Sequence, residues 1–350
     1  MARMPSPNPA PTSKSAPPRM ADVAQLAGVS KMTVSRVLAG QSASEATRLK
    51  VSQAVEALGY VADATATAFA SGRSDFVAVL VPSLESANFS DSVRGLSATL
   101  EPQGLQLLIG ESAYDPDREE RLLRSMLRYQ PRAVVLTGAH HSEETRHLLK
   151  RAGLPVVEMW EQPVKPLDMV VGFSNEEAAR EMLRHLARRG YRNIGFIGGA
   201  SDMDKRGAAR LNGYLRELEA QGLGAPRVVR YGGSPATMTQ GGPAMGALLA
   251  QWPDTDAVMC VSDMSAFGAI MECHRRGLRV PEDIAVAGFG NFEISAICRP
   301  AITTVSVDAY GIGASTAELL LAAMAADEDG FNAFPRRLSV EYAVISRASA

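Results

Sequence analysis

One group of residues in this chain has types and a spacing that could do chemistry, and one further side chain has the type alone. Lys31, Met32, Ser35 and Arg36 fall within about 140° of arc on a helix turning ~100° per residue. Such a set suits the major groove of DNA. Arg36 can meet a guanine edge bidentately, Lys31 can reach guanine or phosphate, and Met32 offers apolar contact to a thymine methyl. Ser30, Thr33, Ser35, Ser44 and Thr47 can bond phosphate oxygens and set register without reading sequence. The second is a single side chain, Arg210, just before Asn212-Gly213-Tyr214, which no spacing of its own singles out. A guanidinium there can hold a carboxylate bidentately or grip paired hydroxyls, or simply form an ion pair on a helix face.

Enzymatic chemistry finds little support. The string GFIGGASDMDKR lacks G-x-G-x-x-G spacing, and there is no P-loop or G-x-S-x-G elbow. His140, His141 and His147 lack matching Cys or carboxylate spacing for a metal and are expected at the surface. No catalytic residue, metal or other cofactor is expected.

The first group needs a helix–turn–helix, and ADVAQLAGVSKMTVSRVLAG supplies its grammar. Asp22 favours the first helix start, Gly28 suits the φ > 0 of the turn, and Ser30 caps the second helix. Val34, Val37 and Leu38 should then pack on Val23, Leu26 and Ala27. A third helix runs from its Ser44 cap through Val51, Val55 and Leu58. A small protein-interaction domain has the same outline, but charge favours DNA. Residues 1–74 hold eight basic and four acidic side chains, or +4, within a chain of net charge −2, leaving −6 for the rest. A basic head on an acidic body is the footprint of a nucleic-acid reader.

From Asp75 onward, short apolar runs such as FVAVLV (76–81), AVVLT (133–137) and IAVAGF (284–289) alternate with helical stretches. That alternation predicts an α/β fold of parallel sheets covered by helices, and the pattern restarts after about residue 173. The expected domains are a disordered Pro-rich tail (1–19), a helix–turn–helix domain (20–60), a linker (61–74) and a two-lobed core (75–350). Three Cys without a CxxC pair point to a reducing cytoplasm rather than a disulfide framework. No apolar run approaches the ~18 residues of a membrane span, so no membrane partner is expected.

The head resembles that of the LacI/GalR transcriptional regulators. The likeness continues through IGFIGG, RLNGY, SDMSAFGAIMECHRRGLRVPEDIAVAGFGN and RPAITTV. KMTVSR, LVPSL, GLPVVEMWE, VGFSNEEAAR and ECHRRGL are similar to the gluconate repressors within that family. The resemblance implies a homodimer on pseudo-palindromic double-stranded operator DNA, with Phe69 as minor-groove wedge in a hinge that folds on binding. Ala62, Asp63 and Ala64 depart from the family's Pro-Asn-Arg, which implies weaker or more effector-sensitive DNA binding. It also implies a periplasmic-binding-protein-like core with lobes of about 75–172 plus 307–334 and 173–305 plus 335–346. Crossovers are expected near 172–174, 305–307 and 333–336.

A small effector, a sugar or sugar acid, would lie between the lobes at the strand ends. Expected lining residues are Ser83, Asn88, Phe89, Glu158, Trp160, Arg210, Ser262, Asp263 and Asn291. Gly290 stands where neutral-sugar regulators often carry an acid, which suits an anionic ligand such as gluconate. Glu158 could accept polyol hydroxyls or pair with Arg210. Three readings follow: an effector-controlled repressor, a sugar-binding transport or sensor module, and a sugar- or nucleotide-processing enzyme. The helix–turn–helix disfavours the second, and the missing catalytic constellation disfavours the third.

Overall fold

The computed structural model describes residues 18–38, 42–60, 74–201, 203–233, 237–326 and 334–350. Most of the Pro-rich tail and the hinge, with Ala62, Asp63, Ala64 and Phe69, lie outside the described residues. The chain divides into two compact units, Met1–Ser74 and Asp75–Ala350.

The first unit contains α1 (Met20–Ala27), α2 (Lys31–Leu38) and α3 (Glu45–Leu58). The Asp22 carboxylate accepts the Arg19 N–H at 2.7 Å, satisfying one of the donors a helix start leaves free. Gly28 turns the chain at φ 66°, in the left-handed region where a Cβ is strained. Ser30 and Ser44 accept the Thr33 and Thr47 N–H groups and cap α2 and α3. Val23, Ala24, Ala27, Val34, Val51, Ala54 and Tyr60 form a small core. Leu26 and Leu38, expected inside it, are 56% and 39% exposed. Short helices turn only a narrow stripe inward, and both leucines fall at its edge.

The second unit holds two six-stranded sheets. In chain order its elements are β1 (Phe76–Val81), α4 (Ala87–Leu100), β2 (Gln106–Glu111), α5 (Pro116–Leu127), β3 (Ala133–Thr137), α6 (Glu143–Ala152), β4 (Val156–Met159) and β5 (Met169–Gly172). Then come α7 (Asn175–Arg188), β6 (Ile194–Gly198), α8 (Lys205–Ala220), β7 (Arg227–Arg230), α9 (Met238–Gln251), β8 (Ala257–Cys260) and α10 (Asp263–Arg275). Last are β9 (Ala285–Phe289), α11 (Glu293–Ile297), β10 (Thr303–Val307), α12 (Ala309–Ala325), β11 (Arg337–Ser339) and β12 (Tyr342–Ile345). The sheet orders are β11-β5-β4-β3-β1-β2 and β12-β10-β9-β8-β6-β7. The strand pairs of the described residues are parallel except β10 with β12. Central strands such as Ala133–Thr137 are buried along their whole length, which is why they read as unbroken apolar runs.

The chain passes between lobes three times. It leaves β5 for α7 at 173–174 and leaves β10 for α12 at Asp308, just past the expected 305–307. The third passage is displaced from expectation. Arg337–Ser339 pairs with Val170–Gly172 in the first sheet, so the chain crosses at 340–341 rather than 333–336. Arg337 also reaches Gln162 and the Pro163 carbonyl, which anchors β11 to that lobe.

Candidate functional site

In the first unit, Ser30, Lys31, Met32, Ser35, Arg36 and Ser44 are exposed, with Met32 at 72%. Val34, at 0%, fixes the opposite side of α2 in the core. A large exposed Met beside two exposed cations on one capped helix is compatible with major-groove reading. The Ser30 and Ser44 hydroxyls lie within 2.9 and 2.8 Å of those of Thr33 and Thr47. The caps therefore hold these hydroxyls in place.

In the second unit, a cavity of about 300 Å³ opens at the carboxyl ends of β1, β8 and β9. Of the expected residues it brings together Asn88, Phe89, Trp160, Arg210 and Ser262. Phe89 meets Trp160 edge-on at 5.5 Å, Trp160 meets Phe173 at 6.1 Å, and Phe173 stacks near Phe289 at 6.4 Å. Edge-to-face and offset contacts of this kind build a stiff apolar wall. The Trp160 Nε1–H is satisfied by the Ser92 hydroxyl at 3.1 Å.

Arg210 lies over the Phe289 ring at 3.7 Å. Its Nε donates to Asn175 Oδ1 at 2.9 Å and its Nη1 to the Val261 carbonyl at 2.8 Å. Burial pushes its pKa down to about 10, the Arg206 charge adding to the effect while Asp204 opposes it. No ion pair with Glu158 forms. A Cβ on Gly290, whose φ is 121°, would stand 3.0 Å from Asn88 Nδ2 and 3.1 Å from the Phe292 ring. Any side chain at this position needs both neighbours to shift and holds a backbone conformation that is strained for an L residue.

Four expected residues lie apart from the cavity lining. Glu158 is buried behind the first sheet, accepting the Leu167 N–H at 2.6 Å beside His141. Strand parity explains this. Val157 and Met159 take the face toward the main core, so Val156 and Glu158 take the other. Asp263 is fully buried and accepts the Phe292 N–H at 2.8 Å and the Thr304 hydroxyl. Burial pushes its pKa up to about 6 against those hydrogen bonds. Asn291 is held by Arg347 at 2.6 Å and Ser306 at 3.1 Å. Ser83 is buried and accepts the Glu85 N–H. Asp263 and Ser83 each fix a loop whose neighbours line the cavity. His141 is also corrected: its imidazole is buried, 2.7 Å from Glu119 and 3.5 Å from Glu158.

Sequence reading missed Tyr114, Arg206, Phe289 and Phe292 among the lining residues. Arg206 was accessible to it, since it lies one helical turn before Arg210 and shares its face. Tyr114 and Phe292 sit in short connections with no periodicity to reveal them.

A helix–turn–helix reader joined in one chain to a two-lobed, parallel α/β unit with a central cavity defines a DNA-binding transcriptional regulator. Residues 19–63 match the lacI family of bacterial regulatory proteins, and residues 183–350 match a periplasmic binding protein-like domain. The chain is 38% identical to the HTH-type transcriptional regulator GntR of Pseudomonas aeruginosa, over 89% of this chain and 90% of that one. It is 34% identical to the regulator of the same name from Escherichia coli K12, over 87% and 91%. A LacI-family transcriptional regulator from Silicibacter pomeroyi superposes with a TM-score of 0.87 at 33% identity, over 95% of this chain and 99% of that one. The chain belongs to the LacI family. These relatives are transcriptional regulators, not enzymes. No described helix is long and apolar enough to cross a membrane.

Proposed function

We propose that the protein is a homodimeric cytoplasmic repressor whose operator affinity is controlled by a sugar acid of the gluconate type bound between the lobes. The observation that carries this reading is the cavity itself. It combines an aromatic wall with two arginines, Arg206 and Arg210, and hydroxyl-binding groups such as Asn88 and Ser262. Aromatic faces stack on the C–H side of a polyol, while a few placed polar groups fix its orientation. Closure on ligand shifts the lobes, and the shift reaches the hinge because the chain crosses between lobes three times. The paired hinge segments then no longer fold together on DNA.

Ser30, Lys31, Met32, Thr33, Ser35, Arg36, Ser44 and Thr47 contact DNA in this reading, and Phe69 is the wedge. Asn88, Phe89, Trp160, Arg210 and Ser262 contact the effector. Ser83, Glu158, Asp263 and Asn291 act by holding structure. The experiment is fluorescence anisotropy with DNA from the protein's own promoter region, with and without gluconate. Binding that weakens as gluconate is added supports the reading. DNA binding unaffected by any member of a sugar and sugar-acid panel overturns it.

A further inference from the structure

The cavity holds a buried cation, Arg206, that no carboxylate meets at ion-pair distance among the described residues, although Asp204, Glu85 and Glu293 line the same cavity. Arg206 is 6% exposed. Its guanidinium lies 4.7 Å from the Phe89 ring centroid and 5.7 Å from that of Tyr114. Tyr114 is the polar side chain beside it, and among the described residues no carboxylate stands at ion-pair distance from it. The buried Glu217, by contrast, takes both Arg180 and Arg184, at 3.0 and 2.9 Å. The acids whose fields reach the neighbouring Arg210 have their nearest partners elsewhere. Asp204 caps α8 through the Gly207 N–H at 3.0 Å, and Glu161 lies 3.5 Å from His140.

Burying a guanidinium without a counter-charge is costly, and aromatic faces offset only part of that cost. An unpaired, desolvated cation in a ligand cavity gains most from an anion. Arg210 is the weaker receptor, because Asn175, the Val261 carbonyl and the Phe289 ring already occupy two of its donors and one face. Arg206 also bridges the lobes. It projects from α8 of the second lobe onto Phe89 of α4 and Tyr114 of the β2–α5 turn in the first.

We infer that Arg206 is the anion receptor of this cavity, seating the carboxylate of a monocarboxylic sugar acid and setting the preference for the acid over its neutral counterpart. Arg210 is left to the hydroxyls. The exposed Glu85 and Glu293, which line the same cavity, accept further hydroxyls and disfavour a second negative charge. The inference rests on the cavity being the effector site, and it names the chemistry and the residue that select the ligand.

The test is calorimetry on the full chain with gluconate and with sorbitol, for wild type, Arg206→Met and Arg206→Lys. Wild type is expected to prefer gluconate at least tenfold. Arg206→Met is expected to lose tenfold or more in gluconate affinity while sorbitol stays within twofold, and Arg206→Lys to recover part of the loss. The ligand-free melting temperature of Arg206→Met is expected to equal or exceed that of wild type, because an unpaired charge has left the interior. A purely structural arginine would lower it. Gluconate affinity within twofold of wild type in Arg206→Met overturns the inference, as does a lowered melting temperature with the preference intact. If sorbitol or another neutral sugar releases operator DNA and gluconate does not, the receptor assignment falls while effector control stands. If nothing in the panel binds, both fall.

Discussion

At the residue scale, two neighbours in space, Glu158 and His141, show what a strand end decides. Parity puts Glu158 behind the sheet, where it and Glu119 flank the His141 imidazole. Burial alone would lower the pKa of that imidazole, but the hydrogen bonds and charges of Glu119 and Glu158 outweigh it and raise the pKa to about 9. The unfolded value is near 6.5, so the folded state holds the proton more tightly. The resulting stabilisation is fully present below pH ~6.5 and is lost as pH rises through about 9. The melting temperature of wild type should therefore fall between about pH 7 and pH 9.5 more steeply than that of His141→Gln, measured in parallel by calorimetry. Parallel slopes would show that the cluster does not titrate with folding. In the first unit the decisive residue is Arg36, exposed on α2. Arg36→Ala is expected to cost about 1–3 kcal/mol of operator affinity and to relax preference at one base pair. Competition binding against single-base operator variants checks both. A uniform loss across all variants would make Arg36 a phosphate contact instead.

At the element scale, close backbone packing carries the first lobe. A Cβ on Gly95 of α4 would collide with the Tyr310 carbonyl oxygen, and one on Gly313 of α12 with that of Ser92. The Ser92 hydroxyl in turn donates to the Ala309 carbonyl at 2.8 Å and accepts from Trp160 Nε1. Gly313→Ala forces these helices apart, so it is expected to cost about 1–3 kcal/mol of stability and to weaken ligand binding by tilting Trp160. Thermal melts and calorimetry read the two effects, and unchanged values of both would mean that the two helices yield to the added methyl without cost. The same helix shows where sequence reading stops. α12, AYGIGASTAELLLAAMA, buries Ala309, Ile312, Thr316 and Leu320 among small residues spread round the axis, so it has no polar face to betray its period. Strands β7, β11 and β12 are sheet edges of three or four partly exposed residues, too short for a clear alternation. Most central strands and capped amphipathic helices were legible because burial on both faces, or on one, writes itself directly into composition; the four-residue β5 and the Thr- and Ser-containing β10 were missed although they are inner strands. Of the cavity, Phe89, Trp160, Arg210 and Ser262 were legible from strand ends and the RLNGY motif. Tyr114 and Phe292 arrive through loops whose course only tertiary packing sets.

At the scale of the whole molecule, the division of charge separates two tasks. The head carries +4 and the remainder −6, so phosphate attraction belongs to the head and the acidic core contributes little to DNA contact. Communication between the two must then travel as conformational coupling. A ligand changes operator affinity only by as much as it distinguishes the DNA-competent state from the other. For a regulator of this size that coupling is of the order of 1–3 kcal/mol, or about 5–150-fold in affinity. Thermodynamic linkage makes it reciprocal: if gluconate weakens operator binding by some factor, operator DNA must weaken gluconate binding by the same factor. Titrating gluconate into free protein and into the protein–operator complex, at one salt concentration, should give a ratio of dissociation constants equal to the ratio of operator affinities with and without saturating gluconate. Equal gluconate affinity in both titrations, alongside a drop in operator affinity, would mean that the titrated site is not coupled to DNA and that the drop comes from elsewhere, such as the salt added with gluconate. A matched ratio in wild type that is abolished in Arg206→Met would place the coupling in the closure of the two lobes around a single anion.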